Sequence, residues 1–512
     1  MVLGRGCGPE SIYFRRLGLR RCGRRRTRAA STCPLVVEAL QMSSLDQLRG
    51  YYVRSPRWVQ ATGGRILSAV PPRVLYGRSF RELQVDIKRS EWDARFVELR
   101  RGELLQRLLA HARRTKYYAE LLKDIDVDAP SVADLSRLPI LDKEQVRRSV
   151  DDMLARPQAE MDEVTTGGTS SGVPLSLYMD KERSVKEWAF LTRLWQRCGY
   201  RIGDRLAVLG YRGVTHLSSP ASKPWAWEPG TREVRLSPFR MVPPVMDEYL
   251  TVLERFKVAF IYGYPSAIAI LAAHARNVGW SPAPTLRGVL LMSESLRPFQ
   301  RQAIAEGFGP VSVLAGYGLS EKVAIAGEIL SRADEYEFEP LYGVAELVDG
   351  TDHPISVPGQ QGRLVGTGFV SMGMPLIRYD TGDLATFVEA PSAENCQRLR
   401  VRDIVSRYAQ DYLITRESGV ITPIVLYANN RVAREVQFVQ HEPGLVILRI
   451  VPEQGVEPRD LDALLNKMNE RADGLLSVTL EIVDEIPLTP RGKRVLVDQH
   501  LDLSAFGAVP EP

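Results

Sequence analysis

The sequence predicts an α/β protein that has a large domain rich in parallel strands and a small α+β unit at its C-terminal end. Three observations support this prediction. Short apolar runs of strand length alternate with segments of helical periodicity between residues 204 and 318, which is the pattern of a largely parallel sheet covered by helices. Short strands and turns follow from about residue 340, and the last hundred residues contain two strand patterns and one helix.

The individual elements can be assigned in order along the chain. Apolar residues at three-to-four spacing predict an amphipathic helix over residues 96–123. The apolar runs predict strands at 204–210, 258–263, 287–294 and 311–318, and the segments between them predict helices at 246–257, 265–279 and 297–309. Ligands of such folds bind at the carboxyl ends of the strands, so the loops that follow the strands are candidate site segments.

The C-terminal part has its own elements. Strands are predicted at 446–452 and 476–487, with a helix near 457–472 between them. A domain boundary is expected near residues 403–411. The predicted organisation is therefore a large domain over 42–406 and a small domain over 407–512.

Residues 1–41 differ from the rest of the chain in charge. They contain nine arginines and two acids, whereas the formal charge of all 512 residues is only +5. Composition leaves three interpretations open, which are a disordered or artefactual extension from a misplaced start codon, a targeting segment and a functional arm. We expect the first of these. The remaining chain is nearly neutral, which gives no electrostatic reason to expect a nucleic-acid partner.

Composition and spacing exclude several other classes. The sixteen uncharged residues 258–273 are interrupted by Gly263 and Pro265 and are too short to span a bilayer, so no membrane partner is expected. Cys198 and Cys396 lie far apart and form neither a disulfide framework nor a CxxC metal site, which is typical of a cytoplasmic protein. No HExxH pair occurs, so zinc-dependent hydrolase chemistry is not indicated.

One loop is suited to holding phosphate groups. Residues 165–174 read TTGGTSSGVP, with three glycines among hydroxyl side chains. Glycine permits a tight turn and close backbone approach, so several N–H and hydroxyl donors can converge on an anion. The loop lacks the lysine of a Walker motif. Taken alone, it could equally be a surface turn.

Three further segments contain chemically useful groups. Residues 317–321 read YGLSE after a predicted strand and offer an aromatic ring, a hydroxyl and a carboxylate. Residues 379–383 read YDTGD and place an acid after a turn glycine, where it can accept hydrogen bonds from ribose hydroxyls. Residues 487–493 read PLTPRGK and hold a lysine on a turn.

These four segments, in this order, resemble the signature motifs of the AMP-forming adenylating superfamily. MPLIRYDTGD and the MSES segment at 292–295 are most similar to the branch of phenylacetate-CoA ligase and CapK-type proteins. The resemblance covers about residues 90–500. It implies a large adenylate-forming domain and a small mobile C-terminal domain. It also implies ATP-dependent conversion of a carboxylic acid to an acyl-adenylate with release of pyrophosphate, followed by transfer to coenzyme A.

The resemblance assigns roles to individual residues. The loop from Thr166 to Gly172, called the phosphate loop below, would hold the β- and γ-phosphates of ATP. Ser293, Glu294 and Ser295 would line the adenine site. Tyr317 would stack on adenine, and Gly318 next to it would also belong to the nucleotide site. Ser320 would contact the α-phosphate, Glu321 would help to bind Mg²⁺, Asp383 would bind the ribose and Arg407 would reach the nucleotide. Lys493 would be the adenylation lysine. The loop residues are Thr166, Gly167, Gly168, Thr169, Ser170, Ser171 and Gly172.

The hinge and the cysteines depart from the pattern of the family, and the acyl pocket is indicated less specifically. The acid or lysine that usually lies two residues after the linker arginine is replaced by Ala409, with Asp411 further on, which leaves the hinge position open. The isolated cysteines predict that no zinc is bound. Candidates for the acyl pocket follow two predicted strands, although they could equally be ordinary core or loop residues: Tyr211, Tyr262, Gly263 and Tyr264.

Three functions remain open. The first is an acyl-CoA ligase that uses ATP, Mg²⁺ and coenzyme A, with an aryl or arylacetic acid suggested only by the family name. The second keeps adenylation but transfers the acyl group to an amine, a hydroxyl or the thiol of a carrier protein. The third is a nucleotide-binding protein without catalysis, which the intact Lys493, Glu321 and Asp383 disfavour. The resemblance also suggests a homodimer.

Overall fold

The structure is a computed structural model, and it describes residues 76–165, 175–210, 223–228, 231–238, 241–405, 413–417, 419–421, 432–452, 455–486 and 496–502. These ranges contain nine α-helices: α1 Gly77–Arg89, α2 Ala94–Ala112, α3 Lys116–Leu121, α4 Lys143–Ser149, α5 Arg183–Gln196, α6 Pro243–Arg255, α7 Pro265–Asn277, α8 Pro298–Phe308 and α9 Pro458–Ala472. Short 3₁₀ turns lie at Val132–Arg137, Asp151–Met153 and Gln158–Glu160.

The same ranges contain twenty β-strands. The first ten are β1 Met161–Thr165, β2 Ser176–Asp180, β3 Leu206–Leu209, β4 Trp225–Glu228, β5 Glu233–Leu236, β6 Phe260–Gly263, β7 Gly288–Leu291, β8 Ser312–Gly318, β9 Ile325–Ile329 and β10 Arg332–Phe338. The others are β11 Gly343–Val348, β12 Gln361–Gly368, β13 Tyr379–Glu389, β14 Arg400–Val405, β15 Leu413–Ile414, β16 Val420–Ile421, β17 Ala433–Glu442, β18 Leu445–Pro452, β19 Ser477–Ile482 and β20 Val497–Gln499.

A 12-stranded mixed sheet forms the centre of the molecule. Its strand order is β11-β12-β13-β14-β10-β9-β8-β7-β6-β3-β5-β4. The five strands β5, β3, β6, β7 and β8 are parallel to their neighbours within this block. The strands on the other side of β8, in the order β9, β10, β14, β13, β12 and β11, are joined by antiparallel pairs. The α/β class and the four strands predicted between 204 and 318 are therefore confirmed.

Both faces of the parallel block are buried, which explains why its strands are apolar throughout. Alternate residues such as Leu209, Ile261 and Val289 pack in one cluster with residues of α6, α7 and α8. Their neighbours, such as Val208 and Leu290, pack in a second cluster with α1 and α5. A strand with both faces buried needs apolar side chains at consecutive positions.

The helix predicted over residues 96–123 is two helices. α2 ends at Ala112 and α3 begins at Lys116. Between them, the Thr115 hydroxyl accepts a hydrogen bond from the backbone N–H of Tyr118 at 3.2 Å, so Thr115 caps the second helix. A threonine cap satisfies an N–H group that the interruption would leave unpaired, and the apolar periodicity alone did not reveal this break.

The segment YDTGD lies within a strand and not in an ordinary turn. Residues 379–383 begin β13, and three of them bulge out of the pairing with β12, because Asp380 pairs with Val365 while Leu384 pairs with Arg363. Gly382 has a φ of 79°, which is the left-handed region that glycine adopts at no steric cost. The bulge turns the segment toward the carboxyl end of β8.

A small α+β unit follows the large sheet. Its four-stranded sheet has the order β19-β18-β17-β20, and α9 packs against it through Leu461, Leu464 and Met468. The predicted strand at 476–487 is shorter than expected and ends at Ile482. The predicted domain boundary at 406/407 lies outside the described residues and stays a prediction. Among the helices that the structure describes, none has the length and apolar character needed to cross a membrane.

Candidate active site

The carboxyl ends of the central parallel strands converge on one edge of the sheet. Tyr264, just after β6, donates its N–H to the Leu209 carbonyl at the end of β3 at 3.2 Å. Met292, just after β7, donates its N–H to the Gly263 carbonyl at 3.1 Å. These bonds place the segments that follow β3, β6 and β7 next to one another, at the edge where ligands of parallel sheets bind.

Gly263 has a packing reason to be glycine. A Cβ atom added to it would lie 1.9 Å from the Leu209 carbonyl oxygen and 2.7 Å from the carbonyl carbon. The backbones of β3 and β6 therefore approach too closely for any side chain. This contact explains Gly263 without an acyl substrate. The neighbouring candidates Tyr262 and Tyr264 are half-buried, and the Tyr262 ring lies 4.9 Å from the Trp195 ring.

The segment predicted to line the adenine site is held by contacts within the protein. Ser293 is exposed and has a φ of 73°. Glu294 accepts a hydrogen bond from the backbone N–H of Ser266 at 3.0 Å, which caps the N-terminal end of α7. Burial raises the pKa of the Glu294 carboxyl, and hydrogen bonds from Ser266 counteract this shift. Ser295 donates its hydroxyl to the Ile404 carbonyl at 3.1 Å. The contacts give Glu294 and Ser295 structural roles.

Tyr317 and Asp383 are hydrogen-bonded partners. The Tyr317 hydroxyl, at the end of β8, donates to Asp383 Oδ2 in the β13 bulge at 2.8 Å. Asp383 is buried, with 6% of its surface exposed. The Asp383 backbone is fixed as well, because its N–H donates to the Thr381 hydroxyl at 3.1 Å. Burial and the nearby Asp383 charge raise the pKa of the Tyr317 hydroxyl, which keeps it protonated as a donor.

Glu321 has the complementary arrangement. Tyr379, the first residue of β13, donates its hydroxyl to Glu321 Oε1 at 3.0 Å. The contacts run in both directions, because Tyr317 of β8 binds the carboxylate in the β13 bulge and Tyr379 of β13 binds Glu321 in the turn that follows β8. Ser320 and Gly318 lie between Tyr317 and Glu321 and are half-buried. The structure therefore brings together the predicted residues of the YGLSE and YDTGD segments.

The chain is similar to several known proteins. Residues 413–499 match the family described as the CapK C-terminal domain. The chain is 23% identical over 391 residues to protein CapK of Staphylococcus aureus, a match that covers 75% of this chain and 84% of that protein. It is 27% identical over 358 residues to phenylacetate-coenzyme A ligase of Thermus thermophilus, a match that covers 67% of this chain and 78% of that protein. The chain is thus similar to CapK-type proteins and phenylacetate-CoA ligases, and the predicted resemblance is confirmed.

A solved structure has a similar fold. It is a crystal structure of 2-hydroxyisobutyryl-CoA ligase in complex with 2-HIB-AMP and CoA in the thioesterification state. The match has a TM-score of 0.51 and 18% sequence identity, and it covers 82% of this chain and 93% of that chain. At this identity, the match supports the fold.

Several predicted site residues lie outside the described residues. Their roles stay predictions, and this applies to the whole phosphate loop, the linker arginine, the adenylation lysine and one acyl-pocket candidate. The residues are Thr166, Gly167, Gly168, Thr169, Ser170, Ser171, Gly172, Tyr211, Arg407 and Lys493.

Sequence reasoning missed Tyr379 and Lys143 as members of the site. Tyr379 is the first letter of YDTGD, so a recognised motif contained it, but nothing in the motif indicated its partner. Lys143 begins α4, and its signal in the sequence is only that of a capped helix start. Burial lowers the pKa of Lys143 to about 8, and the negative charge of Glu321 opposes this shift. Glu321 is therefore close enough to Lys143 to act on it electrostatically.

The donors present fit a magnesium ion. Mg²⁺ prefers carboxylate and phosphate oxygens, and it is usually held by one or two carboxylates together with substrate phosphates. Glu321 is half-buried, and only its Oε1 takes part in the hydrogen bond from Tyr379. Glu321 is the residue of the described site that would hold such an ion. The ion would neutralise charge on the phosphates of a bound nucleotide.

Proposed function

We propose that this protein activates a carboxylic acid with ATP and transfers the acyl group to coenzyme A. One acid oxygen attacks the α-phosphorus of ATP, the bond from that phosphorus to the bridging oxygen of pyrophosphate breaks, and an acyl-adenylate forms. The thiolate of coenzyme A then attacks the acyl carbon, and AMP leaves. The observation that carries the proposal is the pairing of Tyr317 with Asp383 and of Tyr379 with Glu321, in a chain similar to phenylacetate-coenzyme A ligase.

The first step depends on alignment and charge stabilisation more than on a protein nucleophile, because the substrate carboxylate is itself the nucleophile. In this proposal, Asp383 accepts hydrogen bonds from the ribose hydroxyls while Tyr317 holds one of its oxygens. The Tyr317 ring faces adenine. Ser320 donates to the α-phosphate, and the phosphate loop from Thr166 to Gly172 binds the β- and γ-phosphates.

Lys493 supplies the mobile positive charge of the first step. Its ammonium group is compact and sits on a flexible stem, so it can approach both the acid and the α-phosphate as charge develops there. It comes from the small domain, and the proposal includes a rotation of that domain between the two steps. Arg407 is the predicted linker contact to the nucleotide.

The acid itself is proposed only as a class. An aryl or arylacetic acid agrees with the name of the phenylacetate-coenzyme A ligases that the chain resembles. Tyr262 and Tyr264 are half-buried at the carboxyl end of β6, where an aromatic side chain can line a small-molecule pocket. A homodimer and a cytoplasmic setting remain proposals that rest on the resemblance and on cysteine usage.

A second candidate keeps the adenylation step and changes the acceptor. The similarity to protein CapK and to the CapK C-terminal domain supports it, because those names do not specify coenzyme A as the acceptor. In this alternative, an amine, a hydroxyl or the thiol of a carrier protein attacks the acyl-adenylate in place of coenzyme A.

The test is ATP–pyrophosphate exchange by the full-length protein with aryl, arylacetic and aliphatic acids, followed by a search for thioester after coenzyme A is added. Exchange that requires an acid, with thioester formation, is the expected result. Exchange without thioester supports the second candidate. Tight ATP binding without exchange for any acid would overturn both and favour a nucleotide-binding protein without catalysis.

A further inference from the structure

Tyr379 is held in place through both its backbone and its side chain. Its backbone is clamped on both sides, because the Leu141 N–H donates to the Arg378 carbonyl at 2.9 Å and the Asp380 N–H donates to the Leu141 carbonyl at 2.9 Å. Its side chain is almost fully buried, with 1% exposed. A tyrosine held in this way can direct its hydroxyl at one fixed point.

That point is a carboxylate oxygen. The Tyr379 hydroxyl donates to Glu321 Oε1 at 3.0 Å, and Glu321 is the carboxylate of the described site that would hold a magnesium ion. A carboxylate on a two-carbon stem has several rotamers, and a hydrogen bond from a rigid donor selects one of them. The bond engages Oε1, so Oε2 is the oxygen that would be offered to a metal ion.

We propose that Tyr379 is a positioning residue that orients the Glu321 carboxylate for the metal-bound nucleotide. It touches neither substrate nor metal and acts only through Glu321. The inference rests on the proposed function for the identity of the ligand, and it goes beyond that function by assigning a role to a residue for which the family motifs predicted none.

Tyr118 offers a matched control. It is also a buried tyrosine, with 3% of its surface exposed, and it packs near the same part of the chain. Its hydroxyl donates to the Pro375 carbonyl at 3.1 Å and accepts from the Ile377 N–H at 3.3 Å, so its contacts are with backbone groups. Tyr118→Phe therefore removes a buried hydroxyl of the same kind without touching a site carboxylate.

The experiment measures binding and not turnover. Affinity for α,β-methylene-ATP, which cannot release pyrophosphate, is measured by calorimetry with and without Mg²⁺ for the full-length wild type, Tyr379→Phe, Tyr118→Phe and Glu321→Gln. We expect Tyr379→Phe to reduce affinity about tenfold in the presence of Mg²⁺, the usual effect of losing a hydrogen bond to a charged group. Affinity without Mg²⁺ should change little, and Tyr118→Phe should behave as the wild type does.

A double-substitution cycle tests the route through Glu321. Tyr379→Phe should have almost no further effect in a Glu321→Gln background, because the charged acceptor is already absent. Equal losses with and without Mg²⁺, or additive losses in the double variant, would overturn the proposal. If Tyr379→Phe fails to fold, Glu321→Asp provides the second test, since it keeps the charge and draws the carboxylate back from Tyr379. Glu321→Asp should bind the nucleotide about tenfold more weakly in the presence of Mg²⁺ and with nearly unchanged affinity in its absence. Wild-type affinity of this variant in the presence of Mg²⁺ would overturn the proposal.

The binding experiment can fail or succeed independently of the exchange assay that tests the proposed function. A protein without acid-dependent exchange can still bind the nucleotide with Mg²⁺, and the binding cycle then tests Tyr379 on its own. Conversely, the wild type could catalyse acid-dependent exchange while the effects of the Tyr379 and Glu321 substitutions on binding are additive. That result would support the ligase function and reject the positioning role of Tyr379. A split in which Tyr379→Phe raises the KM for Mg²⁺ more than it lowers kcat would agree with the binding result.

Discussion

Tyr317 and Asp383 form a hydrogen bond of 2.8 Å although they belong to strands that are not neighbours in the sheet. Three strands, β9, β10 and β14, separate β8 from β13 in the sheet order. The contact therefore requires the antiparallel half of the sheet to curve back over the carboxyl end of the parallel half. Phe338 of β10 supports the closure, because its ring packs edge-on against Tyr317 at 5.8 Å.

This contact predicts how Asp383 recognises the nucleotide. Asp383→Asn should weaken ATP binding about tenfold, because hydrogen bonds from ribose hydroxyls to a charged acceptor are stronger than those to a neutral one. Calorimetric titration with ATP measures the effect. The control is 2′,3′-dideoxy-ATP, for which wild type and variant should bind almost equally. An equal loss for both nucleotides would show that Asp383 does not contact the ribose.

Lys493 is expected to act in the first half-reaction only. Lys493→Ala should abolish acid-dependent pyrophosphate exchange and leave ATP binding nearly intact, because the lysine neutralises charge that develops only as the acid attacks phosphorus. Conversion of a supplied acyl-adenylate to thioester should survive. Lys467→Ala, at an exposed position of α9, is the matched control and should keep wild-type exchange. Wild-type exchange in Lys493→Ala would refute the assignment.

Gly263→Ala should destabilise the fold. The new Cβ would lie 1.9 Å from the Leu209 carbonyl oxygen, so β3 and β6 would have to separate. Overpacking of this kind lowers the free energy of unfolding by about 2 kcal/mol or more. Gly102→Ala in α2 is the control, because nothing lies within 4 Å of its added Cβ and alanine favours a helix. Urea unfolding compares the two, and an unchanged midpoint for Gly263→Ala would contradict the packing role.

The Cys198 thiol is expected to be unreactive. Burial raises its pKa to about 12, whereas an ordinary thiol loses its proton near pH 9.0. The folded state therefore binds this proton more tightly, so its contribution to stability is complete below pH 9 and is lost as pH rises toward 12. Iodoacetamide at pH 8, with peptide mapping, should label Cys198 only after unfolding in urea. Rapid labelling of the folded protein would disprove the burial effect.

The predictable part of this molecule was set by local patterns. The runs that became β3, β6, β7 and β8 are apolar at consecutive positions because both faces of these strands are buried, and a single sequence reveals that. The break between α2 and α3 was missed because Thr115 acts through one side-chain hydrogen bond that interrupts the chain without changing its apolar period. The sequence predicts a turn at Gly382, where the structure has a bulge within β13. Glycine indicates an unusual backbone conformation but does not indicate that a strand surrounds it.

By itself, the sequence determined the alternation of strands and helices between residues 204 and 318, the resemblance to CapK-type proteins and phenylacetate-CoA ligases, and the two carboxylates of the candidate site, because periodicity and short motifs are local properties of the chain. Only the tertiary structure decided that Tyr379 holds Glu321 and Tyr317 holds Asp383. It also gave Gly263 and Glu294 their structural explanations. These relationships join residues that are 28 to 66 positions apart in the chain, with Glu294 and Ser266 at the short end and Tyr317 and Asp383 at the long end. They depend on how the strands are ordered in the sheet, which no local pattern encodes.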